Sequence, residues 1–231
     1  MTPWRGQIKI CGLTQADEAA ACTAYGADAI GMVFYPPSPR NITMDAAKTI
    51  CRELPAQTAR IGVFVNETFD AIMKIAAYCD LTTVQLHGHE PPELAARIQR
   101  EGVGVIKALF TRSAPFIHEA DLYPETTFLV ECGKGRLPGG NAMTWNWREA
   151  RTFGRRYPLV LAGGLSADTI AAAIAEASPD AVDISSGVES SPGRKDIRKV
   201  KDFMRAVSAC MTERSSVRRI WTPAHYQQNR S

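Results

Sequence analysis

Cys11 closes a short apolar run, Lys9-Ile10-Cys11, and a glycine follows it at once. A buried thiol in such a place is more often plain packing than chemistry, because free cysteine behaves as a small hydrophobe. The same thiol becomes a general base when it ionises near the working pH, which a nearby cation favours. Lys9 lies two residues earlier on the same strand face, and Arg40 is a second candidate neighbour. Glu131 closes another apolar run and offers an acid for the opposite side of a substrate; its bland reading is a solvated loop carboxylate. Two glycine turns, Ala162-Gly163-Gly164-Leu165 and Ser185-Ser186-Gly187-Val188, supply bare backbone N–H groups of the kind that cradle phosphate. Arg40 ends a proline-stiffened loop, and its planar guanidinium suits a carboxylate or phosphate unless it is only a surface arginine.

These residues need a scaffold that brings their strand ends together. Short apolar runs are predicted at residues 8–11, 29–34, 60–65, 83–86, 105–109, 128–131, 159–161 and 181–184, with amphipathic stretches between them. Thr14, Asn66 and Ser166 are read as helix caps. Residues 113–121 are weakly helical, residues 133–141 form a glycine-rich loop, and residues 145–154 form a helix. Strict strand–helix alternation implies parallel strands with right-handed crossovers, and eight units closing on themselves give an α/β fold, the (β/α)₈ TIM barrel. A doubly wound open sheet is the alternative, but no dinucleotide fingerprint follows the first strand. In a barrel the active site lies at the carboxyl ends of the strands, with phosphate bound after strands seven and eight. Lys107 on strand five is then either a Schiff-base lysine or a structural charge inside the barrel. His87, His89 and Asp183 faintly resemble the ligand set of a metal-dependent sugar-phosphate epimerase. Hydrogen bonding by His87 and a surface turn at His89 are the plainer readings.

Residues 1–210 read as one barrel domain. Residues 211–231 are polar and basic, lack periodicity, and are expected to be disordered or loosely docked. A basic interaction arm is the alternative, and Trp221 and Tyr226 are candidate anchors. A net charge of +3 is too small to imply a nucleic-acid partner. No apolar run reaches membrane-spanning length. Six scattered cysteines without metal-binding spacing point to reduced thiols in a cytoplasm.

Six motifs in order carry a resemblance: Lys9-Ile-Cys-Gly12, Phe34-Tyr-Pro-Pro-Ser-Pro-Arg40, Gly62-Val-Phe-Val-Asn66, Val84-Gln-Leu-His-Gly88, Leu161-Ala-Gly-Gly-Leu165 and Val182-Asp-Ile-Ser-Ser-Gly-Val-Glu189. Over residues 8–207 the chain closely resembles phosphoribosylanthranilate isomerase of tryptophan biosynthesis. The resemblance implies a TIM barrel and an Amadori rearrangement of N-(5-phosphoribosyl)anthranilate, with no cofactor and no metal, in a monomer or homodimer. It places the base on Cys11 and the anthranilate-carboxylate arginine on Arg40. It places the phosphate-binding backbone on Gly163, Gly164, Ser185 and Gly187, and it sets His87 and Asp183 near the substrate. One departure stands out. The family's usual acid is an aspartate, whereas this chain has Glu131, one methylene longer, and residues 138–142 also differ from the usual loop. Two further readings are a phosphosugar-binding barrel without turnover and the metal-dependent epimerase.

Overall fold

Eight parallel strands close into a barrel in the computed structural model, which describes residues 1–133, 144–214 and 216–221. The strands are β1 (Gln7–Cys11), β2 (Ala29–Phe34), β3 (Ala59–Phe64), β4 (Thr83–Leu86), β5 (Gly104–Phe110), β6 (Thr127–Glu131), β7 (Leu159–Leu161) and β8 (Ala181–Ile184). Each pairs with the next, and β8 returns to β1 with Lys9 opposite Asp183. Both faces of every strand are covered, which is why the runs are almost wholly apolar.

Side-chain alternation divides the strands into two layers. Ala29, Ala59, Ile61, Ile106, Ala108, Leu129, Val160 and Ala181 fill the barrel interior. Ile10, Ile30, Val105, Leu109, Phe128 and Val182 point outward into the helix layer. Among the described residues seven α-helices form that layer: α1 (Ala16–Ala24), α2 (Met44–Glu53), α3 (Phe69–Cys79), α4 (Pro92–Arg100), α5 (Glu149–Arg156), α6 (Ile170–Ala177) and α7 (Ile197–Ser208). The crossover after β5 holds only a 3₁₀ turn, Ile117–Leu122, in keeping with its weak helical pattern.

Three expected caps are displaced, two by tertiary contacts and the third by bonds within its own turn. Gln15 rather than Thr14 precedes α1, because the Thr14 hydroxyl donates to the Gly193 carbonyl at 2.6 Å. Thr68 caps α3, while Asn66 takes a φ of +54° and accepts from the His89 N–H. Thr169 precedes α6, because its hydroxyl is committed to the Ser166 N–H and the Gly164 carbonyl. Helix α5 starts at Glu149, four residues beyond expectation. The indoles of Trp145 and Trp147 are drawn away to donate to the Ala162 and Gly163 carbonyls.

At the amino end of the barrel the first residues meet the segment that follows α7. Thr2–Pro3 pairs antiparallel with Met211–Thr212. Of the extension read as flexible, residues 211–214 and 216–221 lie against the barrel. Arg214 and Arg218 grip buried Asp180 at 3.0 and 3.1 Å. Trp221, 5% exposed, packs with the interior residues, and the Gln7 side chain ties its backbone in place. Tyr226 and most of the loop expected at 133–141 lie outside the described residues.

Candidate active site

A cleft of about 790 Å³ opens at the carboxyl ends of the strands. It is lined by Cys11, Arg40, His87, Glu131, Gly163, Gly164, Asp183, Ser185 and Gly187, so all nine expected site residues converge there. Alternation explains the convergence: Lys9 and Cys11, Gln85 and His87, Leu129 and Glu131, and Ala181 and Asp183 each share the inward face of one strand.

On the β1–β8 wall, Lys9 is fully buried and donates to Asp183 at 2.9 Å. Gly31 on β2 leaves the room for this pair and for the thiol. A Cβ there would lie 2.7 Å from Cys11 Sγ and 3.0 Å from Lys9 Cε. Burial lowers the pKa of Lys9, but Asp183 and Cys11 outweigh burial and hold it above the usual ammonium value. Burial pushes the Cys11 thiol above its ordinary value; Lys9 and Lys195 pull it back, while Asp183 adds to the rise. Lys195, which the sequence reading did not consider, is thus a further cation acting on Cys11.

Arg40 is occupied by a partner that sequence reasoning missed. Its Nε and NH2 donate to the two carboxylate oxygens of Glu189 at 2.8 and 2.7 Å. Lys195 donates to the same carboxylate at 2.9 Å and to the Ser185 carbonyl at 3.2 Å. Burial raises the pKa of Glu189, but Arg40 and Lys195 together hold it below the usual carboxylate range. Glu189 and Lys195 sit on a small antiparallel ribbon, Glu189–Ser191 with Arg194–Lys195, too short to show any periodicity.

On the opposite wall, Glu131 is 7% exposed and lies 3.3 Å from His87 Nε2. The Gln85 amide nitrogen is 2.8 Å from His87 Nδ1. With that amide donating, Nδ1 accepts and an Nε2–H points at Glu131. On the short way around the ring, only β7 and β8 separate β6 from β1.

The third wall is backbone. Gly163 and Gly164 have φ of +87° and +72°, and the 3₁₀ turn Ser186–Val188 follows β8. Gly187 is tightly constrained, since a Cβ there would lie 2.0 Å from the Leu165 carbonyl oxygen. The Ser185 hydroxyl donates to the Cys11 carbonyl at 3.0 Å, joining the two loops.

Two open readings are resolved, Lys107 against both of its placements inside the barrel, and His87 and His89 in favour of the plainer hydrogen-bonding and surface-turn roles. Lys107 does not face the barrel interior: its neighbours Ile106 and Ala108 do. Its ammonium is sealed outside the barrel on Glu90 at 2.8 Å and on the Gly88 carbonyl at 2.6 Å, a structural charge far from Schiff-base chemistry. His87, His89 and Asp183 do not converge as metal ligands. His87 is turned to Glu131, His89 is exposed, and Asp183 is held by Lys9. Among the described residues no group of three or more His, Cys, Asp or Glu could hold a metal ion. No helix among them is long and apolar enough to cross a membrane.

Comparison with known proteins gives one consistent result. Residues 8–206 match the family model described as N-(5'phosphoribosyl)anthranilate (PRA) isomerase. The N-(5'-phosphoribosyl)anthranilate isomerase of Desulfatibacillum aliphaticivorans is 53% identical over 198 residues, covering 86% of this chain and 91% of the relative. That of Pelobacter propionicus is 41% identical over 207 residues, covering 90% and 98%. The crystal structure of the Thermotoga maritima enzyme superposes with a TM-score of 0.82 at 39% identity, covering 88% of this chain and 98% of that one. Another solved phosphoribosyl anthranilate isomerase, in complex with reduced 1-(o-carboxyphenylamino)-1-deoxyribulose 5-phosphate, gives a TM-score of 0.78 at 38% identity over the same shares.

Proposed function

The chain belongs to the N-(5'-phosphoribosyl)anthranilate isomerase family, enzymes of tryptophan biosynthesis, and on that premise we propose that Cys11 is its general base and Glu131 its general acid. The observation that carries this reading is the placement of a thiol beside the buried Lys9–Asp183 pair and of a carboxyl on a histidine, on different walls of one cleft lined by glycine turns.

The phosphate of the substrate sits on the backbone of Gly163, Gly164, Ser185 and Gly187. The anthranilate carboxylate meets Arg40 through the NH1 edge that Glu189 leaves uncommitted. Asp183 holds Lys9 upright beside the thiol. Glu131 then gives a proton to the ribose ring oxygen as the C1–O bond breaks, and the nitrogen lone pair forms the C1=N Schiff base. His87, in contact with Glu131, holds the carboxyl in place while solvent restores its proton. The Cys11 thiolate takes the C2 proton. The C2–H electrons become the C1=C2 bond and the C=N electrons return to nitrogen, giving an enolamine. Proton transfer from the C2 hydroxyl to C1 yields the ketone, 1-(2-carboxyphenylamino)-1-deoxyribulose 5-phosphate. Each proton lost is regained, so neither an oxidant nor a cofactor enters the balance.

Glutamate reaches one methylene further than the family's usual aspartate. A ~1 Å misplacement of a reacting group costs on the order of 10²-fold, so the β6 end must offset that length for the rate to be kept. We place the reaction in the cytoplasm, a reading supported by six buried cysteines that all remain free thiols. The solved relatives include monomers generated from the dimeric Thermotoga maritima enzyme, and size-exclusion chromatography decides between monomer and homodimer here.

Turnover of the anthranilate ribotide tests the assignment. Cys11→Ala and Glu131→Ala should each lower kcat by roughly 10²–10⁴-fold, the usual worth of a general acid or base. Activity within a few-fold of wild type in either variant removes that residue from its role.

A further inference from the structure

Behind the phosphate loops lies a buried charge cluster whose members the reaction does not all touch. Its cations are Lys9, Arg40 and Lys195; its carboxylates are Asp183 and Glu189; the Cys11 thiol completes it. The side chains of Lys9 and Lys195 are both 0% exposed. Burial lowers the pKa of Lys195 and the Glu189 carboxylate opposes that fall; with every group charged, three cations face two carboxylates. Each buried ion costs several kcal/mol unless it is compensated, so the cluster is one negative charge short while Cys11 stays protonated. The other groups near Lys195 do not close that gap. Glu18 on α1 is paired with Arg194 at 2.7 Å, and the pKa of Cys22 on α1 is pushed up to about 12 by burial, so that thiol stays neutral. The Cys11 thiolate is the group that balances the count.

We propose that Lys195 is a positioning residue for the isomerisation, holding Cys11 ready to ionise by supplying, with Lys9, the second cation that faces the thiolate. This rests on the reading of Cys11 as the base. Lys195 is fixed relative to Cys11 through a short chain of contacts: its ammonium donates to the Ser185 carbonyl, and the Ser185 hydroxyl donates to the Cys11 carbonyl. Glu189 keeps the ammonium there and joins it to Arg40, so one carboxylate links the thiol side of the cleft to the anthranilate side. Among the groups that act on Cys11, Asp183 opposes ionisation, and Lys9 and Lys195 favour it.

The test is the pH dependence of Cys11 alkylation by iodoacetamide in the full chain, located by peptide mass, beside the pH profile of kcat/KM. Only the thiolate reacts. In Lys195→Gln the alkylation limb should rise by about one pH unit, and kcat/KM at neutral pH should fall about tenfold and recover in alkali. Lys195→Arg, which keeps the charge, should hold the limb near its wild-type position. An unmoved limb in Lys195→Gln, or a loss of equal size at every pH, overturns the proposal. If Lys195→Gln does not fold, Lys195→Arg still decides, because a limb that rises with the charge retained contradicts it. Full activity in Cys11→Ala would overturn the base reading instead, and the alkylation limb would still report whether Lys195 acts on the thiol.

Discussion

At the carboxyl end of the barrel, Lys9, Arg40 and Lys195 face Asp183, Glu189 and a thiol that resists ionising. At the amino end, Asp180 accepts from the Leu159 and Arg218 backbone N–H groups and from the side chains of Arg214 and Arg218. Trp221 fills the opening beside it. Both ends bury charge at the rims of the same barrel. The amino end surrounds its carboxylate with donors and closes with an indole, although among the described residues the Trp221 Nε1–H and the Ser178 hydroxyl have no hydrogen-bond partner. The carboxyl end stops one negative charge short and leaves glycine N–H groups without side chains over them. A buried group with its partners in place stabilises; a buried group with one partner missing is poised to take a substrate or to ionise.

That contrast can be sharpened or broken by changing one end at a time. The largest effect is expected for Trp221→Ala, which should cost about 3 kcal/mol of stability by emptying the barrel's lower opening while kcat/KM stays at the wild-type value. Denaturant unfolding and steady-state turnover check it, and a matching loss of turnover would mean that the two ends are coupled. Arg40→Ala comes next. Loss of charged hydrogen bonds worth about 2 kcal/mol should raise KM on the order of thirtyfold with kcat little changed. Stability should change little, because Glu189 keeps Lys195. A fall in kcat at constant KM would place Arg40 in the chemical step rather than in binding.

Much of this was legible from period alone. Alternation in short apolar runs gave the eight strands, and the same period of two aimed Cys11, His87, Glu131 and Asp183 inward. Lys107 shows the rule misapplied: Ile106 and Ala108 occupy the inward positions of β5, so the lysine between them had to face the helices. The parts that stayed hidden depend on contacts remote in sequence. The Arg40–Glu189 pair spans 149 residues, and no local pattern marks the two-residue strand that carries Lys195. The segment up to Trp221 has no periodicity because its order comes from Gln7 and Asp180, not from an amphipathic face. Asn66 and Thr14 had the chemistry of caps, but stronger partners from neighbouring loops claimed their side chains.

The central claim is that Cys11 and Glu131 work on the same substrate from different walls of one cleft. The most direct measurement is a crystal structure of this chain with a reduced analogue of the product bound. The expected result has phosphate on the Gly163–Gly164 and Ser185–Gly187 loops, Cys11 Sγ beside C2, and the Glu131 carboxyl within hydrogen-bonding distance of the oxygen that leaves the ring. A ligand seated on the same phosphate loops with Glu131 still turned to His87 and out of reach of that oxygen would contradict it.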